Sequence, residues 1–318
     1  MPLGEFELIA RYFTRPGRRG DVLLGVGDDA AVLDVPAGQA LVVATDTLVE
    51  GRHFLADAPP QSVGHQALAV NLSDLAAMGA QPAWALLALS VPDADEAWID
   101  GFSRGFHALA DAFGVELVGG DTVRGPRVVT IQALGFVPPG QALKRSGARR
   151  GDVLYVSGTV GDAAAGLELA RRCDAGAMDA TLLRRYRYAE PRVALGIALR
   201  GVASAAIDVS DGLLGDLGKL CRASGVSAEV QLERLPLSRA LLEGFGATAA
   251  ERMALSGGDD YELLFTLPAS AAPAIEARLA GYGRITRIGV IGAGRGIRCF
   301  RSGLEVEQEV AGHDHFAA

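Results

Sequence analysis

Residues 41–91, LVVATDTLVEGRHFLADAPPQSVGHQALAVNLSDLAAMGAQPAWALLALSV, decide the fold class of this chain. The first part, 41–49, is rich in β-branched residues and continuous enough in apolar character to predict a buried strand. Residues 62–78 carry apolar side chains at helical spacing, and Gly79 marks the end of that helix. Residues 84–91 again have the composition of a strand. The order strand, helix, strand predicts a layered α/β structure.

The same alternation continues on both sides of a break in the pattern. The first half predicts a helix at 95–113 and strands at 115–120 and 127–137. A Pro-Pro-Gly cluster at 138–140 and the basic turn KRSGARRG at 144–151 then interrupt it. The second half predicts strands at 152–158, 203–210, 226–232, 261–267 and 284–292, and helices at 162–172, 211–224 and 270–282. We therefore predict α/β architecture, built as α+β layers, in two domains covering 1–138 and 149–318.

The composition excludes several classes of protein. Apolar residues make up 49% of the 318 residues and charged residues 21%, the balance of a globular chain with a substantial core. A formal net charge of −8 argues against a nucleic-acid-binding surface, which needs clustered Lys and Arg. The sequence has no signal peptide and no 18-residue uncharged apolar run, so we expect a cytoplasmic protein with no membrane partner. The spacing of Cys173, Cys221 and Cys299 indicates neither a disulfide framework nor a zinc site.

Six short segments place aspartate beside glycine or a hydroxyl residue, next to an apolar run. Carboxylate oxygens are the ligands that Mg²⁺ prefers, completed by water and phosphate oxygens. Taken singly, each segment is typical of a turn or a helix cap, and Asp211 is a candidate N-cap of the helix that follows it. Taken together they favour a shared site for divalent cations and a polyphosphate. The segments are GVGDDAA (25–31), TDTL (45–48), NLSDLAAMGA (71–80), GGDT (119–122), IDVSDG (207–212) and SGGDDYEL (256–263).

The familiar nucleotide-binding loops are absent from the sequence. GVGDDA lacks the third glycine of a dinucleotide fingerprint, and Lys219 in GLLGDLGKL does not complete a Walker loop. The catalytic-loop and DFG motifs of protein kinases are also missing. If ATP binds, metal-bridged aspartates and an arginine must take the place of a P-loop.

In family order the chain contains GEFELIARYF, GVGDDAAVL, ATDTLVEGRHF, ALAVNLSDLAAMGAQPAW, LVGGDTVRGP, LKRSGARRGD, SGTVGDAAAGL, IDVSDGLLGDLG and LSGGDDYEL. With these motifs it closely resembles the thiamine-monophosphate kinases, in the superfamily of aminoimidazole ribonucleotide synthetase. The resemblance runs from residue 4 to HDHFA at the C-terminus. It implies a homodimer formed by a mixed-sheet N-terminal domain, and an α/β C-terminal domain that closes over the nucleotide. It also implies Mg²⁺-assisted direct in-line transfer of a phosphoryl group from ATP to thiamine monophosphate, the last step of thiamine diphosphate biosynthesis.

The resemblance also implies a role for individual residues. Several Mg²⁺ ions would be held by Asp29, Thr45, Asp46, Asp74, Asp121, Asp208 and Asp211. ATP would contact Gly120, Asp121, Arg145 and Ser210, and thiamine monophosphate would contact His53, Asp259 and His313. No residue is expected to act as a covalent or acid–base catalyst, because positioning and charge neutralisation dominate phosphoryl transfer.

Two positions depart from the family pattern. His313 stands where the family usually has an aromatic residue that can stack on the substrate ring, and imidazole buries less area there. Asp259 replaces the more frequent Glu, which shortens the reach of the carboxylate by one methylene.

Two other interpretations stay open from the sequence. One is a different enzyme of the same superfamily, such as an ATP-dependent ligase acting on a formyl-amidine substrate, against which EGRHF and SGGDDYEL argue. The other is a non-catalytic protein that binds divalent cations with the same aspartate turns.

Overall fold

A computed structural model describes residues 3–172 and 179–308 of the chain. By packing, the chain divides into two compact units, each described by itself below. Unit 1 comprises Met1–Leu75 and Ala80–Gly140, and unit 2 comprises Ala76–Gly79 and Gln141–Ala318. The expectations for Cys173 and His313 lie outside the described residues. The domains 1–138 and 149–318 remain a prediction.

Unit 1 opens with a short helical segment and a hairpin, followed by long strands and helices in alternation. The helical segment is α1 (Glu5–Leu8), continued by a π-helical turn (Ile9–Phe13). Its strands are β1 (Val22–Leu24), β2 (Val32–Leu33), β3 (Ala40–Val49), β4 (Gln81–Val91), β5 (Glu116–Arg124) and β6 (Val128–Val137). The long helices are α2 (Pro60–Ala77), which ends in unit 2, and α3 (Glu96–Phe113).

The main sheet of unit 1 is mixed. Its order is β3-β6-β4-β5, with β6 antiparallel to both of its neighbours and β4 parallel to β5. A parallel pair needs a long crossover, which α3 supplies between β4 and β5. Asp95 caps α3 by accepting from the backbone N–H groups of Ala97 and Trp98, and Gly114 ends it in the left-handed conformation. The mixed sheet that the resemblance implied is therefore confirmed.

Glycines set the distance between α2 and α3. A methyl group added at Gly64 would overlap the Phe102 carbonyl, and one added at Gly105 would overlap the Gln61 carbonyl. The two backbones therefore approach without side chains between them. This close packing holds α2, which carries the NLSDLAAMGA motif, against the rest of unit 1.

Unit 2 continues the alternation, and more of its helices were missed by the sequence analysis. Its strands are β7 (Val153–Ser157), β8 (Ala205–Val209), β9 (Ser227–Gln231), β10 (Glu262–Leu267), β11 (Ile285–Gly292), β12 (Gly296–Arg301) and β13 (Leu304–Val306). Its helices are α4 (Asp162–Arg172), α5 (Asp179–Arg187), α6 (Val193–Ala198), α7 (Leu213–Ser224), α8 (Arg239–Ser256) and α9 (Ala272–Leu279).

The sheet of unit 2 is ordered β13-β12-β9-β11-β7-β10-β8 within the described residues. The β9 and β12 pair is parallel, and the other neighbours are antiparallel. Strands β7, β8 and β10 are buried along their whole length, which explains why apolar residues dominate their sequences. The predicted α/β fold class is confirmed. In the part of the chain that the structure describes, no helix has the length and apolar character needed to span a membrane.

Candidate active site

An acidic cavity of about 980 Å³ opens on one face of the unit 1 sheet. Three of the predicted metal ligands, Asp29, Thr45 and Asp121, line it together with Gly120. Its floor is apolar, with leucines from β4, β5 and β6, and α1 with the following turn contributes Phe6 among other residues. The cavity thus combines carboxylates with an apolar surface, as small-molecule sites in proteins commonly do.

Strand register explains why these residues meet. Thr45 pairs with Gln132, whose side-chain amide donates to the Thr45 hydroxyl at 3.3 Å. Two residues further along β6, Thr130 pairs with Ala88 of β4, which in turn pairs with Asp121 of β5. Side chains at paired positions of neighbouring strands share a face, so β3, β6, β4 and β5 present Thr45, Gln132 and Asp121 to the same cavity.

Two other predicted ligands lie on the opposite, helix-covered face. Asp46 follows Thr45 in β3, and successive strand residues point to opposite faces. The Asp46 backbone N–H donates to Asn71 of α2 at 3.1 Å, which fixes the strand against that helix. Asp74 lies one turn beyond Asn71 and is the only residue of 66–77 that is not buried. Within unit 1 the predicted ligand set is therefore divided between the two faces of the sheet.

His53 lies in the turn that follows β3 and has a defined tautomer. Its Nδ1 accepts a hydrogen bond from the Val49 backbone N–H at 3.0 Å. A neutral ring whose Nδ1 accepts carries its proton on Nε2, which makes Nε2 a donor. Next to it, Glu50 is paired with Arg127 at 2.5 Å, and the Arg127 guanidinium stacks over Trp98 at 4.7 Å. The EGRHF turn is thus held in one conformation, although His53 is not among the residues that line the cavity.

In unit 2 the loop that carries Ser210 and Asp211 is organised by a carboxylate that the sequence analysis did not single out. Asp216, in the first turns of α7, accepts the backbone N–H groups of Ser210 and Asp211 at 2.9 Å each. The Asp216 side chain is 1% exposed, and burial raises its pKa. The alternative that Asp211 caps α7 is wrong, because the N-cap is Gly212 and no side-chain cap is formed.

The second acidic loop of unit 2 lies directly beside the first. Asp259 donates its backbone N–H to the Ser210 carbonyl at 2.9 Å, and Tyr261 donates to the Val209 carbonyl at 2.9 Å. Gly258 is required there, since an added methyl group would press on the Ser210 carbonyl. Asp259 has a φ of 68°, a left-handed conformation that is uncommon outside glycine. Burial raises the pKa of Asp259 to about 6, opposed by a hydrogen bond from the Tyr261 hydroxyl.

The remaining predicted residues of unit 2 have different environments. Asp208 is 4% exposed at the end of β8, where it pairs in register with Leu263. Arg145 is exposed, in a turn that the Ser224 hydroxyl holds by donating to the Arg145 carbonyl at 2.9 Å. Unit 2 therefore brings Asp208, Ser210, Asp211 and Asp259 into adjoining segments and presents Arg145 on its surface.

Comparison with known proteins identifies the family of the chain. Residues 27–137 match the AIR synthase related protein N-terminal domain, and residues 149–301 match the C-terminal domain of the same group. The thiamine-monophosphate kinase of Escherichia coli (strain K12) is 50% identical over 323 residues, covering 100% of this chain and 99% of that protein. The chain belongs to the thiamine-monophosphate kinase family.

Two solved structures extend the likeness to three dimensions. The thiamine-monophosphate kinase from Stenotrophomonas maltophilia K279a is 48% identical, with a TM-score of 0.85 over 90% of this chain and 92% of that chain. The structure described as AaThiL complexed with AMPPCP and TMP is 34% identical, with a TM-score of 0.79 over 92% of each chain.

The donors in this thiamine-monophosphate kinase fold fit Mg²⁺ that is shared with a phosphate ligand. No group of three or more His, Cys, Asp or Glu side chains is arranged to hold a metal within 3–172 and 179–308. Mg²⁺ does not require such a cage, because it keeps several waters and is usually bound by one or two carboxylates plus substrate phosphates. Asp29 and Asp121, which line one cavity, supply that number of hard oxygen donors.

Two charged residues to which the sequence analysis gave no role at a site lie beside the Ser210–Asp211 loop of unit 2. Asp216 anchors the Ser210–Asp211 backbone, and Lys219 contacts both Asp211 and Asp216. The signal was present in GLLGDLGKL, where an acid in the first turns of a helix and a lysine three residues later share one face. The lysine was considered only as a Walker-loop candidate, and that comparison concealed its relation to the neighbouring acids.

The glutamate of SGGDDYEL has a structural role. Glu262 is fully buried and accepts from Arg185 at 2.7 Å and from the Arg192 Nε at 2.7 Å. The Ser157 hydroxyl donates to it at 2.5 Å. An added methyl group at Gly158 would overlap the Glu262 carboxylate, which explains the glycine after β7. This buried ion-pair network ties α5 and the start of α6 to the sheet beneath the Asp259 loop.

Proposed function

We propose that the chain phosphorylates thiamine monophosphate to thiamine diphosphate, with ATP as donor, Mg²⁺ as cofactor and direct in-line transfer as mechanism. The observation that carries the proposal is the likeness, over 92% of each chain, to AaThiL complexed with AMPPCP and TMP. AMPPCP is a β,γ-methylene analogue of ATP, so that relative holds a donor analogue and TMP together. The family membership and the acidic cavity support the same reaction.

The reaction requires no covalent catalysis by the protein. The acceptor oxygen belongs to a phosphate that is already anionic at neutral pH, so no strong general base is needed to form the nucleophile. What is needed is alignment of two mutually repelling phosphates and stabilisation of the charge between them. When bound, Mg²⁺ would supply that charge stabilisation. Several Mg²⁺ ions would be held, by Asp29, Thr45 and Asp121 on the cavity side of unit 1, by Asp46 and Asp74 on the helix side, and by Asp208 and Asp211 in unit 2.

We assign the nucleotide contacts to Gly120, Asp121, Arg145 and Ser210. Gly120 has a φ of 149° and lies against the Leu87 backbone, so its own backbone is exposed at the cavity without a side chain over it. The exposed guanidinium of Arg145 is a planar fork that matches two phosphate oxygens. The Ser210 backbone is held by the Asp216 carboxylate and by the Asp259 backbone N–H.

We assign the thiamine monophosphate contacts to His53, Asp259 and His313. The His53 Nε2 is a donor in the tautomer that the Val49 N–H enforces, which suits a phosphate oxygen or a ring nitrogen. Asp259 is held by Tyr261 in a strained loop, as expected of a carboxylate that orients a substrate. The role of His313 stays a prediction from the resemblance.

A homodimer formed through unit 1 accounts for the apolar side chains that its open sheet face exposes. Leu41 and Val43 of β3 are 43% and 51% exposed, and alternation places them on the same face as Thr45. In the neighbouring hairpin Leu23 is 65% and Val32 48% exposed. A grouped apolar surface of this kind is typical of a protein–protein interface. Sedimentation of Val43→Glu should show monomers, and Leu304→Glu, at an exposed apolar residue of unit 2, serves as the matched control.

Product analysis tests the activity. Purified chain, ATP, Mg²⁺ and thiamine monophosphate should give equimolar ADP and thiamine diphosphate by ³¹P NMR, and unphosphorylated thiamine should not be phosphorylated. Asp121→Asn should lose the activity, and Asp93→Asn, at an exposed loop residue, should keep it. Absence of thiamine diphosphate above background would refute the proposal. ATP consumption only with a formyl-amidine acceptor would instead support the ligase alternative.

The stereochemistry at phosphorus tests the in-line step. With a γ-phosphorothioate of ATP made chiral by oxygen isotopes, a single direct displacement inverts the configuration at phosphorus. Two successive displacements through a phosphoenzyme retain it. Retention would therefore exclude direct transfer while leaving the overall reaction intact.

A further inference from the structure

The strongest unassigned feature is a lysine bound to the acidic loop of unit 2. The chain has two lysines, Lys144 and Lys219, and the second lies in α7. Its ammonium contacts the Asp211 carboxylate and also lies 2.7 Å from Asp216 Oδ1. A positive charge therefore already occupies a carboxylate that the proposed function assigns to Mg²⁺.

The two carboxylates that share this lysine are not equivalent. Asp216 is 1% exposed, and its other oxygen accepts two backbone N–H groups, so it is committed to the fold. The Asp211 side chain is 30% exposed, and in the described part of the chain its carboxylate is held by Lys219. Asp216 therefore anchors the lysine, and Asp211 is the partner that can be exchanged.

We propose that Lys219 is a built-in counter-cation, which holds Asp211 in the metal-free enzyme and competes with Mg²⁺ for that carboxylate. Lysine suits this role because its compact charge sits on a flexible four-carbon stem. The Lys219 side chain is 31% exposed, so it can leave Asp211 and keep Asp216. The competition sets the Mg²⁺ concentration at which the Asp211 site fills. The inference rests on the proposed function in one respect, the use of Asp211 as a Mg²⁺ ligand.

The test measures how the thermal stability of the protein responds to Mg²⁺, without measuring turnover. The melting temperature of the full chain is recorded against free Mg²⁺ at a fixed saturating concentration of AMPPCP. Lys219→Met keeps most of the stem and removes the charge, so its half-effect Mg²⁺ concentration should fall about fivefold or more, the range of ordinary coupling between sites. Without Mg²⁺ the same variant should melt below wild type, because Asp211 then lacks its counter-cation.

Two further variants make the result specific. Arg222→Met removes one positive charge from the same helix, one turn beyond Lys219, and should leave the Mg²⁺ response unchanged. Lys219→Arg keeps the charge in a fork that binds carboxylates more firmly, so its Mg²⁺ response should shift to higher concentration. This variant keeps the proposal testable if Lys219→Met does not fold.

An unchanged or weakened Mg²⁺ response in folded Lys219→Met would overturn the proposal. So would a raised KM for ATP with an unchanged Mg²⁺ response, which would mean that the ammonium binds nucleotide. The wild-type melting temperature could also prove independent of Mg²⁺ while the protein still makes thiamine diphosphate. That result would refute the competition and leave the proposed function intact. The expected shifts in a protein that makes no thiamine diphosphate would refute the function and leave the competition standing.

Discussion

Replacing Asp216 should release the Ser210–Asp211 backbone without touching a reacting group. The Asp216 carboxylate accepts two backbone N–H groups at 2.9 Å and contacts Lys219 at 2.7 Å. A hydrogen bond to a charged group contributes roughly 1.5–3 kcal/mol, and the lower end applies here because the loop is half-buried. Asp216→Ala should therefore cost about 3–4 kcal/mol locally, including about 0.5–1 kcal/mol for the partly exposed ion pair. Asp216→Asn keeps one acceptor oxygen and should cost about half as much.

Hydrogen exchange is the direct assay, because it reports on the two amides themselves. An opening free energy lowered by about 3 kcal/mol accelerates exchange roughly a hundredfold, so the peptide covering 205–217 should exchange much faster in Asp216→Ala. A peptide from α3 in unit 1 is the internal control. Exchange within about threefold of wild type would refute the view that this carboxylate holds the loop.

Three further predictions concern a proposed metal ligand, a helix contact and a buried acid. Asp74→Asn should lower turnover by more than about a hundredfold with an unchanged melting temperature, and near-normal turnover at saturating Mg²⁺ would exclude it as a ligand. Gly105→Ala should lower stability by about 1–3 kcal/mol because a methyl group overlaps the Gln61 carbonyl, whereas Gly20→Ala, which points into open space, should not. Burial raises the pKa of Asp260 to about 8, so wild type should lose stability relative to Asp260→Asn as pH rises from about 4 to 8, in thermal melts. A parallel pH dependence of the two proteins would contradict the last of these.

The sequence predicted those strands and helices whose apolar residues follow one uninterrupted pattern. The predicted strands 41–49 and 84–91 appear as β3 and β4. Most of β4 is buried, but β3 alternates between exposed and partly buried residues, so the prediction of a buried strand at 41–49 is wrong, because one face of that strand is open. The helix Arg239–Ser256 escaped prediction because it is kinked at Gly246, which breaks the apolar period in its middle. The short strands Val22–Leu24 and Val32–Leu33 escaped because a hairpin of that length depends on the sheet it covers rather than on its own pattern.

The candidate site was predictable as a list of residues and not as an arrangement. Aspartate beside glycine or a hydroxyl residue marked each segment, and the motif order led to the family. Strand alternation puts Thr45 and Asp46 on opposite faces of a sheet. Spacing could not show which of these faces also carries Asp121, since that follows from the register of β3, β6, β4 and β5. Nor could spacing show that Asp216 anchors the loop while Asp211 is exchangeable, because the difference lies in burial and in which backbone N–H groups each carboxylate meets.

The two acidic regions solve the problem of gathering like charges in different ways. Two carboxylates about 4 Å apart repel by roughly 4 kcal/mol at an effective dielectric near 20, so an aspartate loop needs compensation when no metal is present. Asp29 and Asp121 border an open cavity of about 980 Å³, where water screens them. The loop of Asp211 abuts buried Asp216 and the Asp259 segment, so screening by water is weaker, and Lys219 supplies the missing charge. It follows that metal binding at Asp29 and Asp121 should depend mainly on the phosphates that arrive with it. Metal binding at Asp211 should depend also on Lys219. Substitutions of Lys219 should therefore change metal binding at Asp211 and leave metal binding at Asp29 and Asp121 unchanged.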